Sequence, residues 1–417
     1  MASALANDPE RVAKTFLSRH SLALVSCTTL QRLWAGYGQI CAITARATTD
    51  QAAVRLDKLC GLKSGGTTGT VYPLILKLIS PPTKSGGHED EGHLRKILSY
   101  EVEQHFYSEV APHLGDKAAV AQCLVSTRDV HDEELGGLMA TIMADLRPRF
   151  SVAGEKRSVL SRTQVHGALE WLAGFHGRSW SLLPKDLDQL VLPPLEESRR
   201  RQTASKQGGR GLWLNGGYTY LATRRKEYSS LVEDTDSEWS DALCTTPEGS
   251  SLSIAEMVAL FLTPCGRSTE SYIHGDVKSE NLFTTTDGEK VAFFDFQYVG
   301  LGLGVCDLAK LFTCSVPLHM LVDDTDLPEE LEIQEGEQVL LQRYHSRLLQ
   351  NDKAPRYEWA TFKRHWETAL VDWCRFQASW GFWGNTEWLE ARVRFILSDQ
   401  EWRDWLHESI MSRNSAN

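Results

Sequence analysis

The hydrophobic and polar positions in the first third of the chain predict strands more often than helices. The segment LQRLWAGYGQICAITARAT has β-branched and aromatic residues on both sides of Gly36 and Gly38, which predicts a strand, a glycine turn and a second strand. The run VYPLILKLIS predicts another strand, in which one cation, Lys77, lies among apolar residues. Because burying a cation is costly, Lys77 requires an anionic partner.

A helix and two further strands are predicted next. In LRKILSYEVEQHFYSEVAPHL the apolar residues from Leu98 to Val110 recur at helical spacing. The apolar runs in QCLVSTRDV and GGLMATIMADL predict strands, and the second leads into a connector near residues 143–146. We place the domain boundary there, which gives an N-terminal sheet lobe over residues 1–143 and a second lobe over 144–417.

The second lobe is predicted to be mainly helical. Helical spacing begins at SRTQVHGALEWLAGFHGRSW and returns in YEWATFKRHWETALVDWCRFQASWGFW. Between them, the charge and glycine content of EESRRRQTASKQGGRGLWLNGG predict an exposed loop. The expected fold class is therefore α+β, with an antiparallel sheet lobe followed by a larger helical lobe.

Length and charge narrow the possible classes of function. A chain of 417 residues is expected to form two hydrophobic cores. Its net charge of −11 argues against nucleic acid or a membrane surface as a partner, since both are polyanions. The nine cysteines include no C-x-x-C pair, which argues against a zinc site. No apolar stretch approaches the about 20 residues of a membrane helix, so we expect a cytoplasmic protein.

The stretch YIHGDVKSENLFTTTDGEKVAFFDFQ carries the candidate chemistry. NLFTTT and KVAFFDF flank the turn dipeptide Asp287-Gly288, which predicts a β-hairpin. Asn281 precedes the first strand and Asp295 ends the second, so the two side chains should meet at the open end of the hairpin. Magnesium prefers oxygen ligands and takes few from the protein when phosphates supply the rest. We therefore predict that Asn281 and Asp295 bind Mg²⁺.

Asp276 lies on the loop that enters this hairpin. Its carboxylate is placed to orient or deprotonate an acceptor hydroxyl during phosphoryl transfer. Lys278, on the same loop, could steady the charge of the transferred group. A lone D-x-x-x-x-N arises often by chance, but its combination with the hairpin and D-F is specific. His274 is expected to pack and hydrogen-bond its loop.

The motifs HGDVKSENLF and DFQ resemble the catalytic and metal-binding motifs of the aminoglycoside phosphotransferase superfamily. The longer match is similar to its choline and ecdysteroid kinase-like branch, with further similarity in YEVEQHFYSEVAP, MADL, LAGFHGRSW and GLWLNGGYTYLATRRKE. It runs from about Gly36 to at least Phe312. The resemblance implies a bilobal protein-kinase-like fold and an ATP-dependent kinase that phosphorylates a small-molecule hydroxyl with the help of Mg²⁺.

The resemblance also implies a role for each matching position. Asp276 becomes the catalytic aspartate, and Asn281 and Asp295 become the magnesium ligands. Asp307 is implied to brace the catalytic region. The residues implied to bind the nucleotide are Lys77, its partner Glu103, the turn glycines Gly36 and Gly38, and the connector residues Met143 and Asp145. Glu101 competes with Glu103 as the partner of Lys77.

Two other functions remain as alternatives. A protein kinase is the weaker one, because Gly275 and Gln297 replace the Arg and Gly of the protein-kinase motifs and no A-P-E segment follows. An inactive, kinase-like binding module is the other. The intact Lys77, Asp276 and Asn281 argue against that module.

The acceptor is expected between the Asp276 loop and the tryptophan-rich helices near the end of the chain. From Trp359 to Trp380 a tryptophan recurs every seven residues, near one face of a helix, and Trp383 and Trp388 follow. These rings either pack in the core or form a wall that stacks on a flat acceptor or binds an amine. The acceptor is thus either an amine or a flat hydrophobic alcohol.

Overall fold

A computed structural model describes residues 8–81, 90–115, 118–129, 138–203 and 211–416. The chain divides into two compact units, Met1–Ser151 and Val152–Asn417. Residues 144–151 thus fall within the first unit, and the domain boundary after residue 143 stays a prediction.

The described part of the first unit contains a five-stranded antiparallel sheet with the strand order β1-β2-β3-β5-β4. Its strands are β1 (Leu22–Arg32), β2 (Gly38–Ala47), β3 (Val71–Ile79), β4 (Cys123–Ser126) and β5 (Met139–Ala144). Its helices are α1 (Pro9–Ser18), α2 (Asp50–Cys60) and α3 (Glu91–His105). The strands and the helix predicted for this region are confirmed.

The alternation of side chains along β3 separates the core of this unit from its chemistry. Leu74, Leu76 and Leu78 are fully buried in one hydrophobic cluster with residues of α1 and α2. Because successive side chains of a strand point to opposite faces, Lys77 leaves the sheet on the other face. There it meets α3, so the strand itself directs the cation away from the apolar core.

The described part of the second unit is mainly helical, as predicted. Its helices are α4 (Arg162–Ser179), α5 (Pro194–Thr203), α6 (Arg225–Glu233), α7 (Glu238–Cys244), α8 (Ile254–Leu262), α9 (Val305–Cys314), α10 (Glu335–Leu348), α11 (Trp359–Trp380), α12 (Thr386–Ser398) and α13 (Gln400–Ala416). Together with the sheet of the first unit, they confirm the α+β fold class. Across the described ranges, none of the helices has the length and apolar character needed to cross a membrane.

Two small sheets accompany these helices. The first pairs β7 (Glu270–Ile273) with β10 (Gly300–Leu303), and the second contains β6 (Val152–Ala153), β8 (Leu282–Thr284) and β9 (Val291–Phe293). β8 and β9 are antiparallel neighbours, which confirms the predicted hairpin.

The exposed loop predicted over residues 196–217 is wrong for most of its described part. Residues 196–203 belong to α5. Within this helix Glu197 is fully buried and forms ion pairs with Arg200 and Arg201, which lie three and four residues further along. Trp213 is also buried and bridges to Gly300. Residues 204–210 of the predicted loop lie outside the described residues.

Candidate active site

The loop that carries Asp276 is held in a conformation that requires glycine at position 275. Gly275 has a φ of +84°, and a Cβ atom there would lie 2.4 Å from the carbonyl oxygen of Tyr298. The Gly275 carbonyl accepts a hydrogen bond from the Nζ of Lys310, at 2.9 Å. A larger residue at 275 would therefore displace the loop.

Asp307, in the first turn of α9, holds the same loop by hydrogen bonds to its backbone. Its carboxylate is fully buried and accepts hydrogen bonds from the backbone N–H groups of His274 (2.7 Å) and Gly275 (2.9 Å). His176 approaches it with Nε2 at 3.1 Å. Burial alone would raise the pKa of Asp307, but the His176 hydrogen bond and nearby cations lower it below its ordinary value. These contacts suit the bracing role that the family resemblance implied.

His274 links the loop to the hairpin. Its Nε2 donates to the Phe294 carbonyl at 3.0 Å, and its Nδ1 accepts from the Asp276 N–H at 3.2 Å. Complete burial lowers its pKa below the ordinary value, which keeps the ring neutral and matches this pattern of one donor and one acceptor nitrogen. His274 therefore packs and hydrogen-bonds its loop, as expected from the sequence.

Two neighbouring side chains, those of Asn281 and Lys278, contact the same oxygen of the Asp276 carboxylate. The Asn281 amide donates to Oδ2 at 2.9 Å and to the Asp276 backbone carbonyl at 2.8 Å. The Nζ of Lys278 lies 3.2 Å from the same Oδ2 and 3.3 Å from the Oε1 of Glu280. Burial would lower the pKa of Lys278, but these two carboxylates raise it, so the lysine stays charged.

The hairpin brings Asn281 and Asp295 to the same end. Leu282 pairs with Phe293, and the Phe294 N–H donates to the Asn281 carbonyl at 3.0 Å. Asp295 follows directly, with a φ of +65°, a conformation that non-glycine residues rarely adopt and that often marks a functional position. Its Oδ1 accepts from the Gln297 amide at 2.6 Å.

These two side chains fit a magnesium ion that is bound together with phosphate groups. With its Nδ2 directed to Asp276, Asn281 retains an oxygen, and Asp295 supplies a carboxylate. Magnesium typically takes one or two protein oxygens and completes its octahedron with phosphate and water. Among the described residues, no cluster of three or more His, Cys, Asp or Glu could hold a metal ion.

A cavity of about 360 Å³ opens beside Asp276 within the second unit. Its lining comprises Lys156, Arg157, Tyr218, 276–280, Lys310, Cys314, Trp373 and 380–384. The tryptophans, which were predicted either to pack in the core or to form a binding wall, therefore fall into two groups. Trp366 is fully buried and donates to Glu337, whereas Trp373, Trp380 and Trp383 line this cavity.

The aromatic residues of the cavity form an ordered stack. Along α11, the ring of Phe376 is stacked between Trp373 and Trp380, with centroids 5.5 and 6.0 Å away. Trp383 meets Trp373 edge-on at 5.5 Å. The Arg224 guanidinium lies 5.1 Å from the Trp380 ring centre. Trp380 is nevertheless 57% exposed, so the stack has an aromatic surface that is accessible to solvent.

Sequence reasoning missed several residues of the cavity lining, among them Lys310, Tyr218, Lys156 and Arg157. Lys310 follows Asp307 by one helical turn, and that spacing could have placed it near the loop. The burial of Tyr218 raises its pKa well above the ordinary value, and the Asp276 charge adds to this effect. Lys156 and Arg157 could not be recognised from the sequence, because only the folded chain brings their loop to the Asp276 loop.

The residues implied to bind the nucleotide lie in the first unit. The Nζ of Lys77 is 2.5 Å from the Oε2 of Glu103, and both side chains are buried. This geometry selects Glu103 over Glu101 as the partner. Met143 lies in β5 opposite Ile75 and lines a small cavity with the ion pair.

The other implied nucleotide residues show defined local geometry. Asp145 follows β5 and is held by Arg147, with Nη2 to Oδ2 at 2.6 Å. Gly36 (φ +75°) lies in the turn between β1 and β2, and Gly38 (φ +136°) is the first residue of β2. A Cβ atom at Gly38 would lie 2.1 Å from the Leu78 carbonyl oxygen, so a side chain there would disrupt pairing with β3. Binding of a nucleotide by these residues stays a prediction.

Three solved structures illustrate the general likeness of the chain. A macrolide 2'-phosphotransferase from Brachybacterium faecium has 13% identity and a TM-score of 0.42, with 96% of this chain and 97% of that chain covered. Choline kinase from Streptococcus pneumoniae has 13% identity and a TM-score of 0.36, with coverage of 97% and 98%. Aminoglycoside phosphotransferase APH(4)-Ia has 13% identity and a TM-score of 0.40, with coverage of 93% and 98%. Likeness at this level carries no information about the reaction.

The family comparison is more specific. No curated protein sequence matches the chain. The model of the ecdysteroid kinase-like family matches residues 73–354, which is more than half of the chain and includes Lys77, Asp276 and Asp295. The chain therefore belongs to the ecdysteroid kinase-like family.

Proposed function

We propose that this protein is an ATP-dependent phosphotransferase that phosphorylates a hydroxyl group of a small-molecule acceptor with the help of Mg²⁺. The observation that carries the proposal is the position of Asp276. Its carboxylate lies in the wall of an aromatic cavity and is held there by Asn281 and Lys278. The cavity volume of about 360 Å³ suits a small molecule.

The hydrogen bonds of Asp276 indicate how it would act. Asn281 and Lys278 both engage Oδ2, which leaves Oδ1 to accept a hydrogen bond from the acceptor hydroxyl. As the hydroxyl oxygen bonds to the terminal phosphorus of ATP, the bond from that phosphorus to ADP breaks. The hydroxyl proton passes to Asp276, and the Lys278 ammonium offsets charge on the transferred group.

The remaining groups would hold the nucleotide. Lys77, oriented by Glu103, would bind its phosphates. The Asn281 side-chain oxygen and the Asp295 carboxylate would hold Mg²⁺, which when bound neutralises phosphate charge. Because the reaction uses ATP, we expect the protein in the cytoplasm.

The lining favours a ring alcohol over an amine as acceptor. The two carboxylates of the lining, Asp276 and Glu280, are already within ion-pair distance of Lys278. The exposed Trp380 offers a flat apolar surface, and the family name, which refers to ring alcohols, agrees with this choice. No observation favours a protein substrate or an inactive module over this proposal.

The test is a screen by mass spectrometry for a gain of one phosphate. Purified protein is incubated with cell extract, ATP and Mg²⁺, and Asp276→Asn serves as the matched inactive control. A peptide library is assayed in parallel. A small ring alcohol that gains phosphate with the wild type alone supports the proposal. Phosphorylation of peptides instead, or turnover by Asp276→Asn equal to that of the wild type, would refute it.

A further inference from the structure

The acceptor cavity is positively charged although the chain carries a net charge of −11. Among the described residues, the charged members of its lining are Lys156, Arg157, Lys278, Lys310, Asp276 and Glu280. Four cations against two carboxylates leave a net of two positive charges in the wall. An acidic protein with a cationic cavity is expected to select against cationic ligands there.

The inner charges of the lining already have partners. Lys278 lies between the two carboxylates, within ion-pair distance of both. Lys310 donates to the Gly275 carbonyl at 2.9 Å and is buried. The excess positive charge that faces an incoming ligand therefore belongs to Lys156 and Arg157.

Lys156 and Arg157 are exposed and, within the described part of the chain, neither side chain forms an ion pair. Their loop is nevertheless fixed to the catalytic loop. The Arg157 N–H donates to the Oε2 of Glu280 at 3.1 Å, and the Ser279 hydroxyl donates to the Glu155 carbonyl at 2.9 Å. The two cations thus project from an anchored backbone.

Two features of the backbone show that this anchoring is specific. Arg157 has a φ of +59°, a left-handed conformation that costs a non-glycine residue free energy. Gly154 packs so closely that a Cβ atom there would lie 1.8 Å from the Ser279 carbonyl oxygen. The fold holds a strained arginine at the rim of the cavity, and strain of this kind is often retained for function.

We propose that Lys156 and Arg157 form a subsite for an acidic group on the acceptor. The acceptor is then a ring alcohol with a carboxylate, sulfate or phosphate substituent. Its ring contacts the wall of Trp373, Trp380 and Trp383, and its hydroxyl faces Asp276. This inference rests on the proposed function only for the direction of the hydroxyl, because binding of the acidic group requires no turnover.

The test compares matched ring alcohols that differ only in one acidic group. The probes are a hydroxymethyl naphthoate against the corresponding hydroxymethyl naphthalene, and the monosulfate of a steroid diol against the uncharged diol. Binding to the full-length protein is measured by calorimetry without nucleotide. Since an exposed ion pair is worth up to about fivefold in affinity, we expect the acidic member to bind about five- to tenfold more tightly at low salt. Added salt should reduce the preference.

The variants assign this preference to the two cations. Lys156→Gln combined with Arg157→Asn removes both charges, and asparagine tolerates the left-handed backbone at 157. We expect this variant to bind both members of each pair equally. Lys353→Gln, which removes an exposed cation outside the cavity lining, should keep the wild-type preference. Circular dichroism checks that each variant folds.

Three outcomes would overturn the inference: failure of every acidic probe to bind more tightly than its neutral partner, persistence of the preference in the double variant, or loss of ATP affinity in that variant with unchanged discrimination between probes. The last result would assign the cations to the nucleotide phosphates. If the wild type binds the acidic probes more tightly but transfers no phosphate, the proposed function fails while the subsite for an acidic group stands.

Discussion

Replacing Trp380 by alanine separates an aromatic binding wall from ordinary core packing. Trp380 is 57% exposed, so less than half of its surface is removed from water in the folded chain. Replacing a buried Trp by Ala typically costs about 3–5 kcal/mol of unfolding free energy, and scaling by burial leaves about 1–2 kcal/mol here. A ring that stacks on an aromatic acceptor contributes about 0.5–1.5 kcal/mol, which corresponds to about two- to tenfold in acceptor affinity.

Trp366 is the matched control on the same helix. It is fully buried, its Nε1 donates to Glu337 at 2.8 Å, and it does not line the cavity. Trp366→Ala should therefore lose the full about 3–5 kcal/mol of stability. Any Trp366→Ala protein that folds should bind the acceptor as the wild type does.

Two measurements on both variants decide the question. Urea denaturation gives the unfolding free energy, and calorimetry gives the affinities for ATP and for an acceptor from the screen. Trp380→Ala should weaken acceptor binding and leave ATP binding unchanged. If Trp380→Ala instead destabilises the fold as much as Trp366→Ala does and keeps wild-type acceptor affinity, the ring is packing and the wall does not exist.

Asp295→Asn, which tolerates φ +65°, should abolish Mg²⁺-dependent turnover while the melting temperature stays near that of the wild type; turnover at the wild-type rate would refute the metal assignment. Lys77→Met should raise the KM for ATP more than the KM for the acceptor, and Glu103→Gln should raise the KM for ATP to a smaller extent. Steady-state kinetics with each substrate varied measures both constants, and a change in the acceptor KM alone would contradict the assignment. Burial lowers the pKa of His105 to about 4 and the pKa of His365 to about 3. Below the ordinary pKa of 6.5, the unfolded chain therefore binds protons at these two histidines that the folded chain does not bind. The unfolding free energy should therefore fall as the pH drops from 6.5 towards 3, and urea titrations should show a shallower fall in His365→Gln.

Local patterns in the sequence were sufficient to predict the hairpin between Asn281 and Asp295. A turn dipeptide between two β-prone runs sets which residues pair, so the meeting of Asn281 and Asp295 follows from short-range rules. The strand alternation of β3 likewise predicts that Lys77 lies on the face opposite its apolar neighbours. The choice between Glu101 and Glu103 needed the structure, because the position of a helix over a sheet depends on packing along its whole length.

Residues of identical type along α11 show why the rest of the site could not be predicted. Trp366 and Trp380 share one repeat and differ only in what surrounds them. Trp366 lies in the middle of the helix against Phe312, whereas Trp380 lies at its last residue, where the chain turns at Gly381. Burial is thus decided by neighbours remote in sequence. Lys156 and Arg157 could not be predicted for the same reason, because contacts of their loop with Ser279 and Glu280 bring them to the site.

The geometry at Asp276 depends on a buried polar network beneath the loop as well as on the loop itself. Asp307 would be costly to bury without partners, but two backbone N–H groups and His176 approach its carboxylate. His176 belongs to α4 and also contacts the Tyr344 hydroxyl of α10 at 2.6 Å. One carboxylate therefore joins three helices to the backbone at Gly275. Because half-satisfied buried networks are costly, we expect the loop to be held in this conformation only when these helices have packed, so Asp276 is positioned by the completed core of its own unit.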